Sequence, residues 1–182
     1  TPAAPQLWLY DPLVALLTRE SVWRRAILHQ IAPTASDVIV DVGCGTGNFL
    51  AAAQKAGYHV HGTDFDRDAI HVAQTVFHLE DVRVAGVDDL EKEARRYGVV
   101  TFFEVLEHVD QPNEFLQKIR ALLLPDGYIA LSVPDAASWD VLKEHDKPPR
   151  HLTRWTRDSI RIFLERHHFE VVRIVQKRIR LS

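Results

Sequence analysis

The stretch VDVGCGTGNFL, residues 40–50, decides the fold. Branched apolar residues surround Asp41. Gly43, Gly45 and Gly47 then occupy every second position, and an apolar-rich run begins at Asn48. A buried strand that enters a tight turn and leaves as a helix accounts for all three parts. Glycine adopts positive φ without strain and lets a ligand approach the main chain closely. The first helical turn adds free N–H groups and partial positive charge, which suit a carboxylate or a phosphate. A dinucleotide fingerprint of the G-x-G-x-x-G kind places its third glycine where this chain has Asn48, so the spacing departs from that class.

Outward from this loop, short branched runs alternate with amphipathic ones. DVIVDVG (37–43), YHVHGTDFD (58–66), VRVAGV (82–87), VVTFFEV (99–105), YIALSVP (128–134) and FEVVRIVQKRI (169–179) predict strands. Residues 47–57, 66–78, 90–98, 112–127 and 156–168 predict helices. Gly57 ends the first of these, Asp66 is placed to cap the second, and Pro112 opens the fourth, which Pro125-Asp126-Gly127 closes. Such alternation implies crossover units, hence an α/β fold with a doubly wound, mostly parallel, Rossmann-like sheet and helices on both faces. Ligands of such sheets bind at the C-terminal strand ends, where the strand order reverses. Residues 41–47, 64–66, 86–90, 104–108 and 133–135 are therefore expected along one rim. Residues 12–32 read as one or two helices. The organisation expected is one domain over 1–182, with a helical N-terminal cap (1–34) and an α/β core (35–182).

The chain has 182 residues, of which 46% are hydrophobic and 26% charged, a composition that suits one globular domain and excludes disorder. The net charge of -3 argues against a general polyanion binder. No apolar run reaches the roughly 18–20 residues that span a bilayer. The single cysteine, Cys44, excludes an internal disulfide framework, and the first residues lack the pattern of a signal peptide, so a cytoplasmic protein is expected. The chain carries no methionine, which leaves open whether residues are missing from it.

Asp41 ahead of Gly43, Gly45 and Gly47, between a clear strand and a clear helix, resembles the first motif of class I S-adenosylmethionine-dependent methyltransferases. FFEVLEHV (102–109), PDGYIALSVP (125–134) and residues 148–174 resemble later parts of a small-molecule branch that includes the ubiquinone-biosynthesis O-methyltransferases. The resemblance covers residues 35–175. It implies S-adenosylmethionine as cofactor and methyl transfer to a small-molecule acceptor, with O-methylation foremost. It places Asp41 near the amino end of the cofactor, Gly43, Gly45 and Gly47 against it, Asp64 on the ribose hydroxyls and Phe65 against adenine. Many relatives carry an acid after the third strand, near the adenine amine; here Val87 holds that place, and Asp88, one residue later, is the candidate. Glu104 is expected at the cofactor rim. Sheets of this family end in an antiparallel hairpin, whereas this chain shows one final strand, so truncation at Ser182 is an expectation.

Glu104, Glu107 and His108 stand at i, i+3 and i+4, and one helical turn puts them on one face. Some relatives, including the ubiquinone O-methyltransferases and small-RNA 3′-end methyltransferases, use Glu-x-x-Glu-His to hold a divalent ion. The RNA enzymes add a later histidine, a role open to His151. A hydroxyl is a poor nucleophile until a base or a metal takes its proton. Three readings of Glu107, His108 and His151 stay open: metal ligands, base or acceptor contacts, or order in the turn. His108 and His151 are the catalytic candidates, and no metal is assigned. Two other functions stand beside the main one, a metal-assisted RNA 3′-end methyltransferase and a non-catalytic cofactor-binding module. The acidic balance argues against nucleic acid as partner. Arg150, Arg154 and Arg157 with Trp155 form a basic-aromatic cluster that suits an anionic or aromatic acceptor. Trp8 and Tyr10 are candidates to close over the site, and Cys44 is read as a small side chain that fits the loop.

Overall fold

Strands β1 (Val38–Val42), β2 (His59–Asp64), β3 (Val82–Val84), β4 (Tyr97–Phe103) and β5 (Leu123–Ser132) form one sheet in the order β3-β2-β1-β4-β5, and every neighbouring pair is parallel. The structure is a computed structural model that describes Leu28, residues 38–138 and residues 148–175. The expected cap over 1–34, apart from Leu28, lies outside the described residues, as do Trp8, Tyr10 and the charged end of the final strand, 176–180.

Alternation along the inner strands builds two cores, because successive side chains of a strand point to opposite faces. Ile39 and Val99 face one side, where α1 (Asn48–Lys55) and α2 (Arg67–Thr75) bring Phe49, Leu50, Ala53, Ile70 and Ala73. Val40, Val100 and Phe102 face the other, against α3 (Val87–Lys92), α4 (Pro112–Ala121) and α5 (Arg157–Arg166) through Leu90, Leu116, Ile119, Ile160 and Leu164. Each such aliphatic side chain, fully buried, contributes about 1.5–3 kcal/mol. The sheet is therefore covered on both faces, as the strand-helix alternation implies.

Asp66 caps α2 as expected, its carboxylate accepting from the N–H groups of Asp68 and Ala69. Three boundaries differ from the sequence reading. The helix expected over 90–98 starts earlier and stops at Lys92, because Gly86 and Asp89 form its cap and β4 already begins at Tyr97. The helix expected over 112–127 stops at Ala121. Leu123 pairs at once with Tyr97, so Pro125-Asp126-Gly127 becomes an irregularity inside β5, with Asp126 at φ 61°. The last strand is not formed over 169–175. Phe169 and Val171 pack on the core, whereas Val172 and Val175 are exposed. No helix among the described residues is long and apolar enough to cross a membrane.

Candidate cofactor and acceptor site

The glycine loop lies where β1 separates β2 from β4. Gly43, Gly45 and Gly47 all take positive φ, at 76°, 54° and 83°. Side chains are also excluded by contact: a Cβ on Gly43 would meet Val105 Cγ2 at 2.5 Å, and one on Gly47 would run into Leu79 Cδ1. Main-chain bonds hold the loop on β2. The N–H groups of Gly43 and Cys44 donate to the Thr63 carbonyl at 2.7 and 3.0 Å. Gly45 N–H donates to Asp64 Oδ2 at 2.7 Å, and Asp66 N–H to Asp64 Oδ1 at 2.8 Å. Burial raises the Asp64 pKa, and those two N–H bonds oppose the rise. Asp41 is buried at the end of β1, with Thr101 Oγ1 donating to its Oδ1 at 2.6 Å.

Phe65, just beyond Asp64, is 57% exposed, a high figure for an aromatic ring at a rim. Its ring lies over Gly86, where an added Cβ would stand 2.5 Å from Phe65 Cζ. The two residues make an apolar shelf next to a carboxylate, suited to a flat base attached to a ribose. The expectation for Asp88 meets a different arrangement. Its carboxylate is engaged by Lys118 of α4 at 2.5 Å, while its neighbour Asp89 accepts from the Gly86 N–H and caps α3.

Beyond β4, Glu104 takes φ 54°, a strained value for a residue with a Cβ, and donates its N–H to the Ser132 carbonyl. A turn over Leu106–His108 follows; Glu104 stands outside it, so the single helical turn that would align Glu104, Glu107 and His108 on one face is not formed. Glu107 is buried, and its Oε2 has no hydrogen-bond partner. Burial, with the charge of Glu104 added, pushes the Glu107 pKa well above the usual carboxylate range. His108 Nδ1 lies 2.6 Å from the Arg150 carbonyl, so that nitrogen carries the proton and Nε2 keeps its lone pair. Burial lowers the His108 pKa, which leaves the ring neutral near neutral pH. His108 Nε2 stands 3.9 Å from Glu107 Oε1, and the rings of His108 and His151 meet edge to face at 4.8 Å. Ligand atoms of Glu107, His108 and His151 all lie within 4.8 Å of one another.

Residues 150–155 form a strap across this turn. The N–H groups of Leu152 and Thr153 both donate to the Glu107 carbonyl, and Thr153 Oγ1 donates to the Leu106 carbonyl. Trp155 Nε1 donates to Thr153 Oγ1. Burial alternates along the strap: His151 and Trp155 are buried, whereas Arg150, Leu152 and Arg154 are exposed. The basic-aromatic cluster read from the sequence is thus divided, because Trp155 packs in the core and the arginines point to solvent.

The structure brings together Asp41 with the glycine loop, Asp64 with Gly45, and Glu107 with His108 and His151. Sequence reasoning missed Thr101 and Thr153. Thr101 carried a signal, a hydroxyl in an otherwise apolar strand, but its meaning needed the β1–β4 register that pairs it with Asp41.

A family profile for a methyltransferase domain matches residues 17–174, most of the chain. The ubiquinone biosynthesis O-methyltransferase of Actinobacillus pleuropneumoniae serotype 7 is 35% identical over 105 residues, 52% of this chain and 44% of that relative. The counterpart in Ralstonia nicotianae is 32% identical over 111 residues, 58% of this chain and 46% of the relative. The matched part of the chain therefore spans less than half the length of these curated relatives. Among solved structures, a SAM-dependent methyltransferase from Archaeoglobus fulgidus superposes with a TM-score of 0.68 at 21% identity, covering 82% of this chain and 69% of that one. DhpI, solved in complex with SAH, gives 0.61 at 18% identity, covering 86% and 79%. These two likenesses show the fold, and the profile match adds the family. With its doubly wound sheet and its glycine loop flanked by Asp41 and Asp64, the chain belongs to the class I S-adenosylmethionine-dependent methyltransferases.

Proposed function

We propose that the protein transfers a methyl group from S-adenosylmethionine to a hydroxyl of a small-molecule acceptor. The observation that carries this reading is the buried cluster of Glu107, His108 and His151 next to Glu104, on the rim that also carries the cofactor loop. In this reading Asp41 receives the cofactor's ammonium group, Asp64 its ribose hydroxyls, and Phe65 with Gly86 its adenine.

The sulfonium methyl is already electrophilic, so the protein's tasks are alignment and removal of the hydroxyl proton. The carbon–sulfur bond breaks with its electron pair going to sulfur, the oxygen–carbon bond forms, and the hydroxyl proton passes to His108 Nε2. The Arg150 carbonyl supports this by holding the proton on Nδ1, which leaves the lone pair on Nε2. His151, packed against the same ring, contacts the acceptor or the charged imidazole that forms. The curated relatives named for ubiquinone O-methylation support a small aromatic acceptor.

A second reading is favoured by the unpartnered Glu107 Oε2, since a buried carboxylate oxygen without a donor suits a cation. Glu107, His108 and His151 would hold a divalent ion through one oxygen and two ring nitrogens, a set that fits zinc or a related metal. Such an ion would lower the pKa of the acceptor hydroxyl. Neutral His108 and the buried Glu107 would then serve as ligands, and His108 would not take the proton.

The expected result is calorimetric binding of S-adenosylmethionine, followed by methyl transfer to phenols or catechols in an acceptor screen. Absence of cofactor binding at millimolar concentration overturns the reading. Loss of transfer on chelation, with recovery on adding a divalent ion, selects the metal-assisted form. Transfer to RNA ends in place of small acceptors, with steep salt dependence, would replace the small-molecule assignment.

A further inference from the structure

Thr101 is fully buried on β4, and Asp41, its partner in the β1–β4 register, is 2% exposed. The pair sits at the point where the strand order reverses, since β1 has β2 on one side and β4 on the other. Thr101 Oγ1 stands 2.6 Å from Asp41 Oδ1 and 3.3 Å from the Val40 carbonyl. A hydroxyl has one proton to give, and the nearer carboxylate oxygen takes it. The neighbours of Thr101 on β4, Val100 and Phe102, are core residues, so the hydroxyl interrupts an otherwise apolar strand. A β-branched side chain in a strand is also restricted at χ1, which keeps that hydroxyl where it is.

We propose that Thr101 is a positioning residue for the cofactor: its hydroxyl fixes the Asp41 carboxylate in the orientation that receives the ammonium group of S-adenosylmethionine. This rests on the reading of Asp41 as the ammonium contact. It adds a donor from β4, the strand whose far end carries Glu104 and the Glu107–His108 turn. Through Thr101, the carboxylate on β1 is tied to the strand that leads into the residues facing the acceptor.

The test uses two ligands that share adenine, ribose and sulfur. S-adenosylhomocysteine has the ammonium group, whereas 5′-methylthioadenosine lacks the amino-acid portion. Thr101→Val keeps the shape and removes the hydroxyl. It is expected to weaken S-adenosylhomocysteine about tenfold, the effect of a hydrogen bond to a charged group, and to leave 5′-methylthioadenosine unchanged. Thr101→Ser is expected to restore binding to within about twofold, by the same hydrogen bond. Equal weakening of both ligands, or no weakening of either, overturns the proposal. If Thr101→Val does not fold, Thr101→Cys carries the same expectation. Asp41→Asn separates the two layers. If it leaves S-adenosylhomocysteine binding intact, the reading of Asp41 falls and the proposal with it. If Asp41→Asn weakens binding while Thr101→Val does not, only the proposal falls.

Discussion

On the cofactor half of the rim, Gly43, Cys44 and Gly45 give their N–H groups to Thr63 and Asp64, and Gly45 and Asp64 are 19 residues apart in the chain. On the acceptor half, His108 reaches the Arg150 carbonyl across 42 residues, and Thr153 reaches Leu106 across 47. The first half is a local unit closed by main chain. The second is a junction of distant segments and carries the strained Glu104, while each half holds a buried side-chain oxygen without a partner, Thr63 Oγ1 on the first and Glu107 Oε2 on the second. Strain and unmet polar groups persist only where the surroundings enforce them, and they gather at functional sites. In the proposed function the cofactor meets the loop held on β2, while the acceptor meets the turn held by the strap.

The strongest challenge to this contrast is Gly47→Val. The positive φ and the contact with Leu79 leave no room for a branched side chain. Cofactor binding is expected to vanish, and folding stability to fall by about 1–3 kcal/mol, measured by calorimetry and by denaturant unfolding. Retained binding would show that the loop is not the rigid half. Next in size is His108→Gln, which removes the nitrogen assigned to take the hydroxyl proton. If the acceptor half does the chemistry, turnover falls about 10²-fold or more while cofactor affinity stays the same. A parallel loss of cofactor affinity would merge the two halves. Phe65→Ala has a smaller effect, removing the exposed ring over Gly86. A fivefold to tenfold weaker S-adenosylhomocysteine complex is expected, about the worth of one aromatic stacking contact.

The smallest effect is on stability against pH. Burial lowers the pKa of both His61 and His108 in the folded protein. Below the ordinary histidine range the unfolded chain therefore binds protons that the folded chain refuses, and stability falls as pH drops from about 7 to about 5. Glu107 works in the opposite sense, because its raised pKa leaves the folded state holding a proton that the unfolded chain has released. Unfolding midpoints across this range are expected to show a shallower slope in His108→Gln than in the parent, and a steeper one in Glu107→Gln. Identical slopes in all three would break the assignment.

The strand-helix alternation made the parallel sheet legible, and the glycine spacing made the cofactor loop legible, because both depend on residues close in the chain. The capping role of Asp66 was readable for the same reason. Boundaries failed where tertiary pairing overrode a local signal. Pro125-Asp126-Gly127 reads as the end of a helix, yet pairing of Leu123 with Tyr97 drew it into β5. One helical turn over Glu104, Glu107 and His108 was a condition of the shared face; the turn forms only over Leu106–His108, Glu104 stays outside it, and the junction with His151 needed the strap to fold back. Asp88 comes from the family resemblance, and its pairing with Lys118 of α4 was not readable from local sequence. Thr101 acquired meaning only through the strand next to it.

Cys44 lies in the loop itself, 4% exposed, and burial raises its pKa well above the ordinary thiol value, with the charges of Asp41 and Asp64 adding to the rise. A thiolate is a strong nucleophile, and a sulfonium methyl donor is an alkylating agent; side by side they would react. Burial first, and those carboxylates second, favour the protonated sulfur. Under the proposed cofactor reading, a protonated Cys44 leaves the loop no thiolate for a sulfonium methyl to alkylate.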